Sequence, residues 1–427
     1  MAAQPLKAKV AVIGAGPIGL EMAHGALAKG FSVDVFEQAD SCAGHVSSYS
    51  FVRLFSPWSL NMTERGKSVM QECGGTVPDQ TVCPSGKEFR ETYLKPLAEA
   101  LEKHSSCKVN YNCEVAAVGR GSLLKGESIG GGDMCMPKDA PLCNKIRRET
   151  PFKLLVRHKE GKEEYFEGYD VVVDCTGVYR SDHASWAGSG GVPALGERAL
   201  RSKGRIYATI PDVHGKDRSR FAGRRTMVVG AGMSAATVAR DILKLAEEDK
   251  ATSLIWVTRK SGNPFTVIED DVLPQRKALC ELGNSAASGS LKENVKYIGS
   301  AGIRGIESTP EDRLRISIET VSGEAVEEVD EFISSCGFRP DASLYQELQV
   351  HQCYASEGPM KLAATLIGGS GDCLAQVSAG VDTLKSPEPG FFILGHKSYG
   401  RNSAFLLKIG HEQVQAVLDD ITPLANL

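Results

Sequence analysis

The chain has 427 residues, 49 basic and 53 acidic side chains, and a formal net charge of −4 at pH 7. About 150 residues per domain predicts two or three domains, and 42% apolar with 24% charged residues is typical of globular proteins. The balanced charge argues against a nucleic-acid-binding protein. No apolar run is long enough for a membrane helix and Met1–Lys9 lacks a signal-peptide core, so we expect a soluble, cytoplasmic protein.

The first predicted unit is a strand, a glycine-rich turn, a helix and a second strand. Lys9–Ile13 is a short apolar run that is typical of a buried strand. A helix-compatible pattern follows over Leu20–Lys29, and a second apolar strand, Ser32–Phe36, ends in Glu37. This β-α-β order indicates a doubly wound α/β domain.

The turn after the first strand has the spacing Gly-x-Gly-x-x-Gly. Its first glycine permits the tight turn, the second lets the backbone approach a pyrophosphate, and the third lets the helix pack on the strand. The helix N-terminus attracts phosphates, and Glu37, 23 positions after Gly14, can accept hydrogen bonds from a ribose diol. We therefore predict a dinucleotide site formed by Gly14, Gly16, Pro17, Ile18, Gly19, Glu37 and Gln38.

A second unit of the same kind begins in the middle of the chain. The strand Thr226–Val229 precedes a further glycine turn, and the strand Ser253–Val257 ends in basic instead of acidic residues. An acid at that place repels a 2′-phosphate, whereas arginine accommodates it. This pattern favours NADPH over NADH at a second site formed by Gly230, Gly232, Met233, Ser234, Ala235, Arg259 and Lys260.

One segment lacks regular periodicity. Residues 119–150 contain Gly130–Gly132, and we predict an irregular surface insertion between strands of the first domain. The twelve cysteines occur singly, without a Cys-x-x-Cys motif. This excludes zinc-ribbon spacing and the usual dithiol relay. We expect mostly buried, reduced thiols and no metal site.

The two glycine turns together resemble those of two-dinucleotide-binding-domain flavoproteins. The run Asp170 to Gly177, which ends in Cys-Thr-Gly, is similar to that family's strand ending in Ala-Thr-Gly, and Asp330–Pro340 is similar to the matching strand of the nicotinamide domain. Phe391–His396 stands where the late strand of the family often ends in Gly-Asp, with His396 in place of the aspartate.

This resemblance implies an α/β fold of two Rossmann-like doubly wound domains, the NAD(P)-binding one inserted into the FAD-binding one. The implied bounds are 1–215 for the first part of the FAD-binding domain with its insertion at 119–150, 216–338 for the NAD(P)H-binding domain, and 339–427 for the return segment. FAD and NADPH are the implied cofactors. Further FAD contacts implied by the resemblance are Arg53, Val115, Cys175, Thr176, Gly177, Gly395, His396, Phe405 and Leu406.

A closer resemblance lies in Val52–Trp58, Gly191–Gly196 and Lys397–Arg401. These segments resemble a group of FAD-dependent oxidoreductases, some of them described as flavin-binding monooxygenases linked to arsenic resistance. It implies an NADPH-using monooxygenase that acts on a small molecule and molecular oxygen through a hydroperoxyflavin. Arg53 and Lys397 are candidate catalytic cations for negative charge on the reduced flavin, and Tyr399 is a candidate wall of the pocket.

Two alternatives remain open. Behind the favoured monooxygenase stand an NADPH-dependent reductase without oxygen insertion and a redox sensor that binds both cofactors without turnover. The fingerprint Phe-x-Gly-x-x-x-His of flavin-containing and Baeyer–Villiger monooxygenases is absent before Gly230. The fate of reduced flavin in air separates the two enzymes, and very slow reduction by NADPH marks the sensor. We expect no nucleic-acid or membrane partner, and the oligomeric state stays open.

Overall fold

A computed structural model describes residues 8–127, 140–291, 294–367, 372–376 and 378–426. Its strands are β1 (Lys9–Ile13), β2 (Ser32–Phe36), β3 (Cys107–Asn110), β4 (Cys113–Arg120), β5 (Phe152–His158), β6 (Glu163–Tyr169), β7 (Val171–Asp174), β8 (Ile206–Tyr207), β9 (Arg225–Val229), β10 (Ser253–Val257), β11 (Val295–Ile298), β12 (Gly302–Ser308), β13 (Leu314–Thr320), β14 (Gly323–Val329), β15 (Glu331–Ser334) and β16 (Phe391–Ile393).

Its α-helices are α1 (Pro17–Ala28), α2 (Gly44–Ser48), α3 (Trp58–Asn61), α4 (Glu64–Glu72), α5 (Gly86–Phe89), α6 (Lys95–Lys103), α7 (Ala140–Glu149), α8 (Glu197–Ser202), α9 (Arg218–Phe221), α10 (Met233–Glu248), α11 (Pro274–Ala287), α12 (Met360–Leu366) and α13 (Leu407–Ile421). In the described part of the chain, none of these helices has the length and apolar character to cross a membrane.

The chain divides into two compact units. Unit 1 consists of Met1–Val178 and Pro340–Leu427, and unit 2, inserted between them, is Tyr179–Arg339. The first boundary therefore lies before Tyr179, whereas the sequence placed it after residue 215. Residues 179–215 go with unit 2 because β8 adds a parallel strand to β15, a pairing of two residues that leaves no periodic pattern in the sequence. The return to unit 1 at Pro340 lies one residue after the expected boundary.

Unit 1 contains a five-stranded sheet in the order β16-β7-β1-β2-β3. All its neighbouring strands are parallel, and β1 pairs with both β2 and β7. The strands read as continuous apolar runs because both faces of a parallel sheet are covered, and the last four residues of β1 are buried. A separate antiparallel meander, β4-β5-β6, joins β3 to β7.

Unit 2 repeats this architecture. Its five-stranded parallel sheet has the order β11-β10-β9-β15-β8, and β12-β13-β14 form the equivalent antiparallel meander. The central strand is β1 in unit 1 and β9 in unit 2, and each lies between the strand that follows its glycine turn and the strand that follows its meander. The predicted pair of doubly wound α/β domains is confirmed.

The insertion between β4 and β5 is more regular than predicted. Its residues 140–149 form α7, whereas Gly130–Gly132 lies outside the described residues. Arg120 at the end of β4 and Arg147 in α7 are buried, and both bind Glu388. The prediction of an irregular surface insertion is therefore wrong for residues 140–149 and for Arg120. Here the chain is helical or buried, and two buried arginines bind Glu388, just before β16.

Candidate functional site

The glycine turn between β1 and α1 is open at one of its three glycines. Gly14 has φ +99°, and a Cβ there would lie 2.9 Å from the Cys175 carbonyl oxygen. A Cβ on Gly19 would lie 1.8 Å from the Gly14 carbonyl oxygen, so only glycine fits at either end. At Gly16, the N-cap of α1, a Cβ would meet no described atom within 4 Å. The turn, called the first cradle below, is therefore closely packed at its ends and open in the middle.

Glu37 closes one side of the first cradle. Its carboxylate is buried, and it accepts hydrogen bonds from Ala15 N at 2.8 Å and from Ala39 N at 2.9 Å. Burial raises the pKa of Glu37 above its ordinary value, and these backbone donors oppose the rise. Each carboxylate oxygen keeps acceptor capacity for a further donor, which is the property that a ribose diol requires.

The carboxyl ends of β7 and β16 complete the same edge of the sheet. The carbonyl oxygen of Cys175 lies against Gly14, and Gly177 has φ +70°. Gly395 follows β16 with φ +73°, and a Cβ there would lie 3.2 Å from Ile18 Cγ1. The carboxyl ends of β1, β2, β7 and β16 thus all lie at the first cradle. This is the place where a doubly wound sheet is expected to bind a ligand.

Lys397 is buried beneath this edge. Its Nζ lies 2.6 Å from Asp174 Oδ2, and both side chains are fully buried. The same ammonium donates to Thr176 Oγ1 at 3.0 Å, and Thr176 Oγ1 donates to Asp174 Oδ1 at 2.7 Å. The predicted catalytic cation therefore lies beside the first cradle with its charge already paired, and the hydroxyl of Thr176 is engaged by protein groups.

An aromatic cluster surrounds the turn after β16. The ring of His396 stacks on Phe405 with centroids 5.4 Å apart and planes at 8°. Tyr399, which is buried, meets Phe405 edge-on at 5.4 Å. Burial lowers the pKa of His396 to about 4, so the ring is neutral at pH 7. Burial also lowers the pKa of His411, on α13, to about 4, and its Nε2 has no partner among the described residues.

From the lowered pKa values of His396 and His411 we predict a loss of stability in mild acid. The ordinary histidine pKa is about 6.5, so between pH 6.5 and 4 the unfolded chain binds more protons than the folded chain. Each histidine then contributes a fall in the free energy of unfolding of up to about 1.4 kcal/mol per pH unit as the pH drops through this window. His411→Leu should make the fall shallower, as measured by urea unfolding at pH 7, 6 and 5.

The control for this prediction is His351→Leu, because His351 is exposed. We expect that variant to keep the pH dependence of the parent protein. An unchanged slope in His411→Leu would show that His411 is protonated in the folded chain over the same range, contrary to its burial.

The other predicted contacts of the first cradle are more dispersed. Arg53 is half-exposed, donates to the Cys83 carbonyl oxygen at 2.5 Å and lies 3.9 Å from Glu88. Val115 is buried on β4 opposite Val156. The remaining predicted residues lie at element ends: Pro17 and Ile18 open α1, Gln38 is exposed after β2, and Leu406 is the N-cap of α13. The structure gives Arg53 protein partners and brings Lys397, not Arg53, to the strand ends.

The turn between β9 and α10 in unit 2 reproduces the first cradle. Gly230 has φ +135°, and a Cβ there would lie 2.2 Å from the Ser335 carbonyl oxygen. Gly232 is the N-cap of α10, and a Cβ there would again find no atom within 4 Å in the part of the chain that the structure describes. Met233 and Ser234 begin α10, and Ala235, in the place of Gly19, is buried. We call this turn the second cradle.

The strand ends beside the two cradles differ in charge. In unit 1 the strand that follows the cradle ends in the buried carboxylate of Glu37, whereas in unit 2 it is followed by Arg259 and Lys260, both exposed. Lys260 Nζ donates to the Pro264 carbonyl oxygen at 3.5 Å. The second cradle therefore has cationic side chains where the first has a carboxylate.

The thiols near the two cradles are poor nucleophiles at neutral pH. Burial raises the pKa of Cys42 to about 11 and raises the pKa of Cys175 and of Cys336 above the ordinary value. A protonated thiol reacts slowly, because the thiolate is the nucleophile. Within the described residues, no group of three or more His, Cys, Asp or Glu side chains has the arrangement to hold a metal ion.

Two polar residues of the site were missed by the sequence analysis. Asp174 ends an otherwise apolar strand, and a carboxylate there requires a buried partner. Gln413 lies on the buried stripe of α13, accepts from Gly395 N at 2.9 Å and donates to Ser398 Oγ at 2.9 Å. In both cases the available signal was a polar residue at a position where the pattern calls for an apolar one.

Residues 12–65, which span the first cradle and Glu37, match the family of NAD(P)-binding Rossmann-like domains. The chain matches no curated protein. It is similar to the bacillithiol disulfide reductase Bdr (YpdA) from Bacillus cereus, with 16% identity, 98% of this chain and 99% of that chain covered, and a TM-score of 0.65.

Two further solved structures share the fold over nearly the whole length. One is a thioredoxin reductase from Lactococcus lactis, with 13% identity, coverages of 98% and 99%, and a TM-score of 0.58. The other is DfoA, a cadaverine monooxygenase from Erwinia amylovora solved with FAD, with 12% identity, coverages of 98% and 95%, and a TM-score of 0.63. Residues 12–65 thus match the model of an NAD(P)-binding Rossmann-like domain, and the whole chain shares its fold with these two reductases and with DfoA.

Proposed function

We propose that the chain is an FAD-dependent oxidoreductase that takes electrons from NADPH and acts on a small molecule as a monooxygenase. The observation that carries the proposal is the pair of cradles. In each cradle the first glycine has a positive φ and the middle glycine, Gly16 or Gly232, is open, but the charge at the end of the following strand is opposite. Two dinucleotides of different chemistry in one chain are the requirement of hydride transfer from a nicotinamide to a flavin.

FAD is assigned to the first cradle. The carboxylate of Glu37 accepts ribose hydroxyls and repels a 2′-phosphate, which excludes NADPH from this place. The residues that would hold FAD are those of the open turn at Gly16, with Glu37 at the ribose and the strand ends at Gly177 and Gly395 along the same sheet edge. When bound, FAD supplies the two-electron chemistry that the side chains lack.

NADPH is assigned to the second cradle. The N-terminus of α10 begins at Gly232 and offers free N–H groups to a pyrophosphate. Arg259 is exposed at the end of β10, where a guanidinium can bind a 2′-phosphate through two parallel hydrogen bonds. The chain's own contribution is therefore recognition of each dinucleotide by the charge at one strand end.

Transfer from the flavin to oxygen and a small substrate is favoured over a thiol relay. The sequence has no Cys-x-x-Cys, and burial raises the pKa of Cys42, Cys175 and Cys336. DfoA, a cadaverine monooxygenase, is similar to this chain in fold. The second candidate is an NADPH-dependent reductase without oxygen insertion, and it is favoured by the likeness to Bdr, which acts as a disulfide reductase.

The test is reduction of the purified holoprotein by NADPH without oxygen, followed by mixing with oxygen while flavin spectra are recorded. A long-lived species distinct from both oxidised and reduced flavin supports the monooxygenase. Fast reduction with direct return to the oxidised spectrum, unchanged by candidate substrates, supports the reductase. Bound FAD that NADPH reduces only very slowly would contradict both enzymes and support a sensor.

Arg259→Ala should weaken the binding of NADPH without weakening the binding of NADH. The lost contact is a charge-assisted hydrogen bond to the 2′-phosphate, worth about 1.5–3 kcal/mol, so the apparent affinity for NADPH should fall about 10- to 100-fold. The measurement is the coenzyme concentration dependence of anaerobic flavin reduction for both coenzymes.

The matched control is Arg304→Ala, which removes another half-exposed arginine of unit 2, paired with Glu324 at 3.1 Å. This substitution should leave the apparent affinity for both coenzymes unchanged. An equal loss for NADH and NADPH in Arg259→Ala, or no loss for either, would contradict the assignment of the 2′-phosphate to Arg259.

A further inference from the structure

The buried ion pair between Lys397 and Asp174 joins two strand ends of unit 1. Asp174 is the last residue of β7 and lies in register with Ile13 of β1 and Ile393 of β16. Lys397 belongs to the turn Gly395–Tyr399 that follows β16. The Nζ–Oδ2 distance is 2.6 Å and neither side chain is exposed. The pair therefore fixes the turn after β16 to the end of the strand beside β1.

The pair also determines the conformation of the turn after β7. Asp174 Oδ1 accepts hydrogen bonds from Thr176 N at 3.0 Å and from Thr176 Oγ1 at 2.7 Å. Lys397 Nζ donates to Thr176 Oγ1 at 3.0 Å. The Cα of Thr176 lies 3.3 Å from the position of a Cβ on Gly14. A change in this pair would consequently move the backbone that contacts the first cradle.

The charge of Lys397 is balanced before any ligand arrives. A buried ammonium is costly to desolvate, and it persists in the interior because a carboxylate and further hydrogen bonds compensate it. Here Asp174 supplies the carboxylate and Thr176 supplies the additional acceptor. The pair as a whole is neutral, so it presents no net charge to a group bound in the first cradle.

We propose that Lys397 and Asp174 are positioning residues. Together they hold the turn Cys175–Gly177 against the first cradle, and Lys397 does not supply the cation that stabilises negative charge on a bound flavin. The part of this inference that concerns the flavin rests on the proposed function, whereas the part that concerns the turn does not. In this arrangement Asp174 compensates the charge of Lys397, and the backbone of the turn makes the contacts with the ligand.

The test compares Lys397→Met, Asp174→Asn and the double variant. Removing one partner leaves a buried charge uncompensated, whereas removing both leaves none. We expect each single variant to lower the Tm of the flavin-free protein by about 10 °C and to bind FAD at least tenfold more weakly. The double variant should recover most of both losses, with a flavin midpoint potential close to that of the parent protein.

The matched control is the pair Lys385–Asp420, which has the same N–O distance of 2.6 Å but is partly exposed. Lys385→Met, Asp420→Asn and their double variant should each change the Tm by no more than about 2 °C. They should leave FAD binding unchanged. This control separates the effect of burial from the loss of any lysine–aspartate pair in unit 1.

Two results would overturn the inference. One is a double variant that is as unstable and as poor in FAD as the single variants. The other is a Lys397→Met protein that keeps FAD but has a more negative flavin potential, with the same shift in the double variant, because a free cation behaves in that way. A parent protein that binds no FAD would contradict the proposed function, and the Tm values of the flavin-free variants would then decide the role of the pair.

Discussion

Gly16→Val is expected to abolish dinucleotide binding at the first cradle while the chain stays folded. Gly16 has φ −82° and ψ −175°, which any residue adopts, and a Cβ there meets no atom within 4 Å among the described residues. The valine methyl groups would instead fill the space where the pyrophosphate approaches the backbone. We expect FAD affinity to fall by more than about 100-fold, the order of effect of losing a few kcal/mol of contacts, as measured by the flavin content of the purified protein and by titration with FAD.

The control is the equivalent substitution in unit 2, Gly232→Val. It should leave FAD stoichiometric and remove reduction by NADPH, because Gly232 is the open position of the second cradle. If Gly16→Val keeps FAD and Gly232→Val loses it, the two assignments are reversed. If both variants keep FAD and are reduced normally, neither turn holds a dinucleotide. A Gly19→Ala variant has a different fate: its Cβ would lie 1.8 Å from the Gly14 carbonyl oxygen, and we expect it to misfold.

Glu388→Gln is expected to be strongly destabilising. Glu388 binds Arg120 Nε at 2.9 Å and Arg147 Nη2 at 2.8 Å, and it accepts from Gln349 N at 2.9 Å. All three charged side chains are buried. Burial lowers the pKa of Arg120 to about 10, so it is charged at pH 7. Removing the carboxylate charge leaves two buried guanidinium groups without compensation, which costs about 3–5 kcal/mol.

This loss is measured as the change in the free energy of urea unfolding. The control is Glu163→Gln, which breaks a half-exposed pair with Arg157 at 3.2 Å and should cost no more than about 1 kcal/mol. Equal, small losses in both variants would mean that water or a backbone shift satisfies the two arginines without Glu388. A large loss confined to Glu388→Gln would establish that the segment between β4 and β5 is a stabilising part of unit 1.

The local features of this fold were predictable from the sequence, and the long-range ones were not. The strands Lys9–Ile13, Ser32–Phe36 and Ser253–Val257 have the predicted bounds, because continuous apolar runs bounded by glycine turns encode buried parallel strands. The helix α1 begins at Pro17 instead of Leu20, since proline fits the first helical position and needs no N–H partner there. Both cradles follow from spacing over six residues.

The paired charges depend on contacts that no local spacing encodes. Glu388 lies more than 200 residues from both Arg120 and Arg147 in the sequence, and Lys397 is also more than 200 residues from Asp174. Apart from Asp174, which ends an apolar strand, each of these residues looks like an ordinary surface charge when only its neighbours in the chain are considered. Their role becomes visible only when β7 and β16 are placed side by side, which the sequence pattern does not specify.

Each five-stranded sheet has one edge strand that pairs with the strand following its meander, and the two units differ in where this edge strand lies in the sequence. In unit 2 that strand is β8, which precedes β9, so every strand of its sheet lies within Tyr179–Arg339. In unit 1 it is β16, which follows the whole of unit 2. During synthesis on the ribosome, unit 2 can therefore complete its sheet while β7 still waits for its neighbour. Until Phe391–Ile393 emerges, β7 exposes an apolar edge that can pair with other chains. The nascent chain is therefore most prone to aggregation after unit 2 has been synthesised and before β16 has paired with β7.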